Sequence, residues 1–253
     1  NKSFLAQHAE DIILSNGGCI NEGKVSNQLG VKGISNSTES IIVARDIELL
    51  RQTNSKYHVL HVSAAESVNL IRAAKKEGLR ITAEVSPHHL ALTENDVLKI
   101  GTNAKMTPPL RHEKDRQALI TALVDGTIDA IATDHAPHEL AAKNKDLADA
   151  AFGVIGLETM LAVSLGLYHN GSISLIELLK KLTCNPSKIL KIKKGRIAKN
   201  YDADLCIFDL NKKWSLSTGD IKSKSHNTPF LNHKFLGKNY ITIVSGKIVY
   251  QDS

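Results

Sequence analysis

Lys56-Tyr57-His58-Val59-Leu60-His61-Val62-Ser63, running on into Ala64-Ala65-Glu66 and an apolar stripe at Val68, Ile71 and Ala74, decides the fold. A short β-rich run feeds directly into a helical period. Ser63 and Glu66 have the spacing of a capping box, and Gly78 is a usual helix stop. A second strand is expected at once, from Arg80 to Ser86. Working outward, Glu113 to Asp125 carries Leu119, Ile120 and Leu123 on a helical period ended by Gly126, and Asp129 to Asp134 reads as the next strand. Apolar helices are expected near Leu157 to Tyr168 and Ser174 to Leu182, the latter opening on a second box at Ser174 and Glu177. Strand and helix alternate, which implies parallel strands joined by helical crossovers. No GxGxxG follows a strand, so the expected fold is α/β with a (β/α)8 TIM-like barrel rather than a doubly wound sheet. In the other direction Phe4-Leu5-Ala6 reads as a strand already in progress and the chain does not open on Met. Both features predict the later part of a longer protein, with the second half of the barrel present.

From about Lys193 the texture changes to short strands and turns, at Asp204 to Asp209 and in a hairpin from Tyr240 to Tyr250 turning at Ser245-Gly246. Two domains are therefore expected: the barrel half over 1–192 and a small β-sandwich appendage over 193–253. The 253 residues are 42% hydrophobic and 23% charged, enough for a large core and unlike a disordered or disulfide-stapled chain. No apolar run reaches the ~18 residues of a membrane span. Cys19, Cys184 and Cys206 are odd in number and widely spaced, which points to a reducing cytoplasm. The formal charge of +6 sits in short lysine runs with aromatics at only 4%, the pattern of a solvated surface rather than a nucleic-acid face. Neither nucleic acid nor membrane is an expected partner.

In parallel α/β folds the chemistry projects from the C-terminal ends of the strands. That rule selects His8, His61, the Ser86-Pro87-His88-His89 run, and Thr133-Asp134-His135-Ala136-Pro137-His138. The period of two places Tyr57, Val59 and His61 on one strand face and aligns Ala130, Ala132 and Asp134 on another. Two imidazoles and a carboxylate on one rim suit Zn²⁺ with a coordination position left for water. His58, on the opposite face, and His112 and His169, in surface-like contexts, are expected to be structural or solvated.

These same motifs carry a resemblance. Gln7-His8-Ala9-Glu10-Asp11, His61-Val62-Ser63, Glu84-Val85-Ser86-Pro87-His88-His89-Leu90, Lys105-Met106-Thr107-Pro108-Pro109-Leu110-Arg111, Thr133 to His138, and Phe152-Gly153 with Gly156-Leu157-Glu158-Thr159 are similar to dihydroorotases of the amidohydrolase superfamily. The similarity continues through Gly195 to Leu205 and Asn227 to Phe230, so it spans essentially the whole chain.

The resemblance implies a metal-dependent amidohydrolase barrel catalysing the reversible, zinc-dependent hydrolysis of L-dihydroorotate to N-carbamoyl-L-aspartate in pyrimidine synthesis. Carried over by position, it makes His8 and His61 ligands of one zinc, and Asp134 a ligand of a second zinc and the catalytic acid/base. Thr107, His138, Phe152 and Gly153 would contact the substrate; Thr107 stands where the family commonly has an asparagine. His88 and His89 match the pattern as structural residues. The family's His-x-His pair and bridging ligand have no counterpart, since none of the eleven histidines is spaced His-x-His. The chain as given is therefore expected to be an inactive fragment. The rival readings are another cyclic amidase, such as a hydantoinase or allantoinase, and a catalytically silent dihydroorotase-like subunit that supports aspartate transcarbamoylase. A homodimer and aspartate transcarbamoylase are the protein partners the resemblance allows.

Overall fold

The computed structural model describes residues 4–252. Four parallel strands, β1 (Leu5–Gln7), β4 (Tyr57–Val59), β5 (Ile81–Val85) and β6 (Ala130–Ile131), form a sheet in that order; β2 (Ile20–Asn21) and β3 (Gly33–Ile34) pair separately, also in parallel. Register runs Leu5↔Tyr57↔Ile81 and Glu84↔Ala130. Helices Ser37–Thr53, Ala65–Lys76 and Glu113–Asp125 supply the crossovers that parallel pairing requires. Val43 and Ile47, Val68 and Ile71, and Leu119 and Leu123 are the buried faces of these three helices, and Val59, Ala83 and Val85 of the strands are fully buried with them. The strand-helix order expected from the sequence is observed, and among the described residues the four strands form an open sheet.

The expected box at Ser63 and Glu66 does not form. The helix begins at Ala65 behind an uncapped Ala64. Ser63 instead donates its hydroxyl to Glu39, and the N–H groups of Ser63 and Ala64 donate to the same carboxylate at 3.1 Å. The Ala65 N–H donates to Asp115 Oδ1 at 3.0 Å. Carboxylates from two other helices thus replace the local cap and meet the helix's positive end. Ser174 does cap its helix, Leu175–Leu182, by accepting from the Glu177 N–H at 3.3 Å.

The chain divides into two compact units. One runs to Gly156 and includes Ser223–Pro229; the other comprises Leu157–Lys222 and the chain from Phe230 on. The second unit holds helices Met160–His169, Leu175–Leu182 and Cys184–Leu190 and an antiparallel sheet, β7 (Leu205–Ser215), β8 (Lys234–Val244) and β9 (Lys247–Gln251). The β8–β9 turn is Ser245-Gly246 with φ of 50° and 77°, the paired left-handed conformation that suits a right-twisted two-residue hairpin.

Candidate functional site

His8 follows β1 directly, His61 lies just past β4 and Asp134 just past β6, so each sits where a parallel strand gives way to a loop. His61 and Asp134 both have positive φ, 29° and 47°, a conformation that costs a non-glycine residue of order 1–3 kcal/mol and persists only where the surroundings impose it. Hydrogen bonds on either side do so. Leu60 N–H donates to Gln7 O and Val62 N–H to Glu84 O, while Ala132 N–H donates to Val85 O and Ala136 N–H to Val154 O. The sheet's bonding resumes across each kink.

The turn also corrects the face assignment. Alternation along β4 stops at Val59, and Tyr57 points to the helix Ser37–Thr53, where burial and Asp46 push its phenol far above the ordinary range. His58 lies on the other face with Thr82 and Glu84 of β5, at 2.8 Å and 3.1 Å. His61 therefore reaches the site through its kink and not through a shared face with Tyr57.

His8 and His61 stand edge to face, with His8 Nδ1 and His61 Nε2 at 3.0 Å. Proton placement follows from the partners. His8 Nε2–H donates to Glu10 Oε2 at 2.8 Å; His8 Nδ1 is then the acceptor and His61 Nε2–H the donor. His61 Nδ1 is buried and bonds no other residue. Burial pushes the His61 imidazole down, opposed by the Asp134 charge, and pushes the Asp134 carboxyl up, opposed by His61 and His8. Glu10 is held below the usual carboxylate range: burial opposes its charge, but its bonds to His8 and Ser15 and the fields of His8 and Arg111 outweigh that.

Two imidazoles whose facing nitrogens share one proton, one of them oriented by its own carboxylate, beside a partly desolvated carboxylate, are a donor set that fits a borderline metal ion once that proton is lost. The facing nitrogens at 3.0 Å are close to the ~3.3 Å edge of a tetrahedron with ~2.0 Å metal–nitrogen bonds. Among the described residues no three such groups already stand together as a complete ligand cluster.

Of the remaining expected site residues, His138, Phe152 and Gly153 lie together. His138 Nε2–H donates to Phe152 O at 2.6 Å. A Cβ on Gly153, whose φ is 130°, would come within 2.6 Å of Ala136 Cβ and 2.9 Å of His138 Nε2; only glycine fits against that segment. The Gly153 N–H donates to Lys105 O at 3.0 Å. Thr107 lines a small cavity with His8, Glu10, Glu39 and Arg111. His88 and His89 are both buried, and His89 is fully engaged: Ser86 Oγ lies 2.5 Å from Nδ1, and Nε2–H donates to Pro108 O at 3.0 Å. A larger cavity of about 880 Å³ lies within the second unit and has no histidine in its wall, so the chemistry selects the strand-end cluster.

Sequence reasoning missed the residues that support this cluster. Glu10 was within reach, two positions from His8 in the same motif. Glu39 and Arg111 were not: Arg111 is 3% exposed and bonds Ser63 Oγ, Asn21 Oδ1 and Ile34 O, partners from three separate segments.

The sequence pattern of the amidohydrolase family matches residues 17–249. The chain belongs to that family. This amidohydrolase is 54% identical over 248 residues to a dihydroorotase of Anaplasma phagocytophilum and 56% identical over 249 residues to a dihydroorotase of Ehrlichia canis. In both cases 98% of this chain is covered and 56% of the relative, so the amidohydrolase chain spans about half the length of the curated relatives it matches. Among solved structures, an L-hydantoinase (dihydropyrimidinase) from Arthrobacter aurescens superimposes with a TM-score of 0.85 at 27% identity, covering 99% of this chain and 57% of that one. No helix among the described residues is long and apolar enough to cross a membrane.

Proposed function

We propose that these residues belong to a dihydroorotase, a cytoplasmic enzyme that hydrolyses L-dihydroorotate reversibly to N-carbamoyl-L-aspartate. The observation that carries the reading is the His8–His61 pair, its nitrogens facing at 3.0 Å, beside the kinked, half-buried Asp134, in a chain more than half identical to two dihydroorotases. His8 and His61 would hold one zinc and Asp134 a second, with the His-x-His pair and bridging ligand coming from the part of the relatives' length that residues 1–253 do not span. Zinc, when bound, supplies Lewis acidity that makes water nucleophilic near neutral pH and polarises the ring carbonyl. Asp134 takes the proton from the attacking water and returns it to the leaving ring nitrogen; its desolvation strengthens it as a base. Glu10 fixes the His8 tautomer. His138 and the Phe152–Gly153 backbone hold the substrate's polar edge, and the Thr107 hydroxyl supplies a shorter donor than an amide would. The division into a barrel half over 1–192 and an appendage over 193–253 is part of the same proposal, as is assembly into a homodimer or with aspartate transcarbamoylase.

The superposition on an L-hydantoinase favours a second reading, another cyclic amidase. A site that pairs the ring carboxylate rejects hydantoin, because its donors would be left buried and unbonded. Specificity constants of the active protein for dihydroorotate, hydantoin and allantoin separate the two. Preference for dihydroorotate by ~10²-fold or more is expected, and preference for either of the others would transfer the assignment. A protein that binds metal but turns over none of them would mark the silent subunit.

A further inference from the structure

Behind the Phe152–Gly153 backbone sits a lysine that the reaction scheme does not use. Lys143 ends the short helix Leu140–Lys143 and is 3% exposed. Its ammonium donates to three main-chain carbonyls: Lys105 O at 3.0 Å, Ala151 O at 2.8 Å and Gly153 O at 3.0 Å. Three acceptors match the three N–H bonds of an ammonium. A lysine stem ordinarily carries its charge to water, and burying that charge costs several kcal/mol before compensation. An apolar side chain would fill the same space without that cost, so packing alone does not account for Lys143.

The bonds converge on one short stretch. Lys105 O, one of the three acceptors, also accepts from the Gly153 N–H, and Gly153 O also accepts from Asn227 Nδ2 at 3.1 Å. The Lys105 ammonium in turn donates to Ala148 O at 2.8 Å and stands 4.2 Å from the Phe152 ring centre. On its other side the stretch is flush against Ala136 and His138. We propose that Lys143 is a positioning residue, holding the Phe152–Gly153 backbone in its substrate-binding conformation from behind through these three main-chain hydrogen bonds.

The proposal rests on the reading of Phe152–Gly153 as a substrate contact. Without the ammonium, three buried carbonyls lose a donor and the stretch leaves its held conformation part of the time. Apparent affinity falls by the fraction of time the competent conformation is lost. Asp134 and the histidines are untouched, so the chemical step is not.

The test is Lys143→Met in the active protein, with Lys143→Gln, which keeps two N–H donors on a shorter stem, as the graded variant. Steady-state kinetics and hydrogen exchange are measured on both. For Lys143→Met, KM is expected to rise about tenfold with kcat within about threefold, metal content unchanged, and exchange accelerated over 146–153 while β4 and β5 stay protected; Lys143→Gln falls between. An unchanged KM, a kcat loss at constant KM, or loss of protection across β4 and β5 would overturn the proposal. If the unsubstituted protein does not turn over dihydroorotate, the functional reading fails, and the exchange arm, which needs no substrate, still decides the clamp.

Discussion

Two clusters of buried polar groups lie side by side in the first unit and are built on opposite principles. At the strand ends, His61 and Asp134 are kinked into positive φ, His61 Nδ1 bonds no other residue, and burial pushes the two groups' pKa values toward neutral forms. Around Arg111 and Glu39, more deeply buried, donor meets acceptor: Arg111 bonds Ser63 Oγ, Asn21 Oδ1 and Ile34 O, and Glu39 takes the N–H groups of Ser63 and Ala64. Most of the second cluster's capacity is taken up inside the protein. The unsatisfied one is held in place by the other, since Glu39 grips Ser63 and Ala64, two and three residues past His61. Strain and desolvation mark the reactive group, and internal bonding marks its support.

The sharpest break in this comparison is Asp134→Asn. In the active protein it is expected to lower turnover roughly 10⁴-fold in both directions, with fold retained, because an amide cannot accept the proton that the reverse reaction requires it to donate. Near-normal turnover in either direction would remove Asp134 from the mechanism. Arg111→Met should act on the other side of the comparison, costing roughly 3–5 kcal/mol of stability in chemical denaturation because it leaves Ser63 Oγ, Asn21 Oδ1 and Ile34 O without their buried donor and removes the positive field on Glu39. A loss under ~1 kcal/mol would show that the cluster is not a support.

Acid should act on the support as well. Burial, together with the field of His61, pushes His89 down to about 3. The unfolded chain then takes up a proton at higher pH than the folded one, so stability present above pH ~6.5 is lost as pH falls through ~3, by roughly 5 kcal/mol at most. His89→Gln, which preserves a donor to Pro108 O, should flatten that slope; an unchanged slope would assign acid lability to other groups. The smallest effect is expected in the second unit. Ser174→Ala removes an exposed N-cap and should cost about 1 kcal/mol while leaving kcat and KM unaltered.

The alternation of strand and helix was legible because each crossover helix buries one stripe, and a helical period survives in the sequence whatever the helix packs on. The limits of Glu113–Asp125 and the Ser245-Gly246 turn emerged as read. The Ser63–Glu66 cap did not, because Glu39 offers Ser63 a buried carboxylate that no local spacing reveals. The face assignment failed for a related reason. It extrapolated period two beyond a three-residue strand into a kink that only the flanking sheet bonds impose. Lys143, set in Ala141-Ala142-Lys143-Asn144-Lys145, has the local composition of a solvated turn, and its burial depends on carbonyls contributed from Lys105 and Gly153.

The central claim is that the strained cluster at the strand ends is the metal-binding reaction centre and the one around Arg111 and Glu39 is not. Metal bound per chain, measured on the active protein, its His61→Ala variant and its folded Arg111→Met variant, tests it most directly. His61→Ala is expected to lose metal, because the remaining imidazole of His8 cannot hold the ion alone, whereas Arg111→Met keeps the full complement per folded molecule. Full metal in His61→Ala, or loss confined to Arg111→Met, would contradict the assignment.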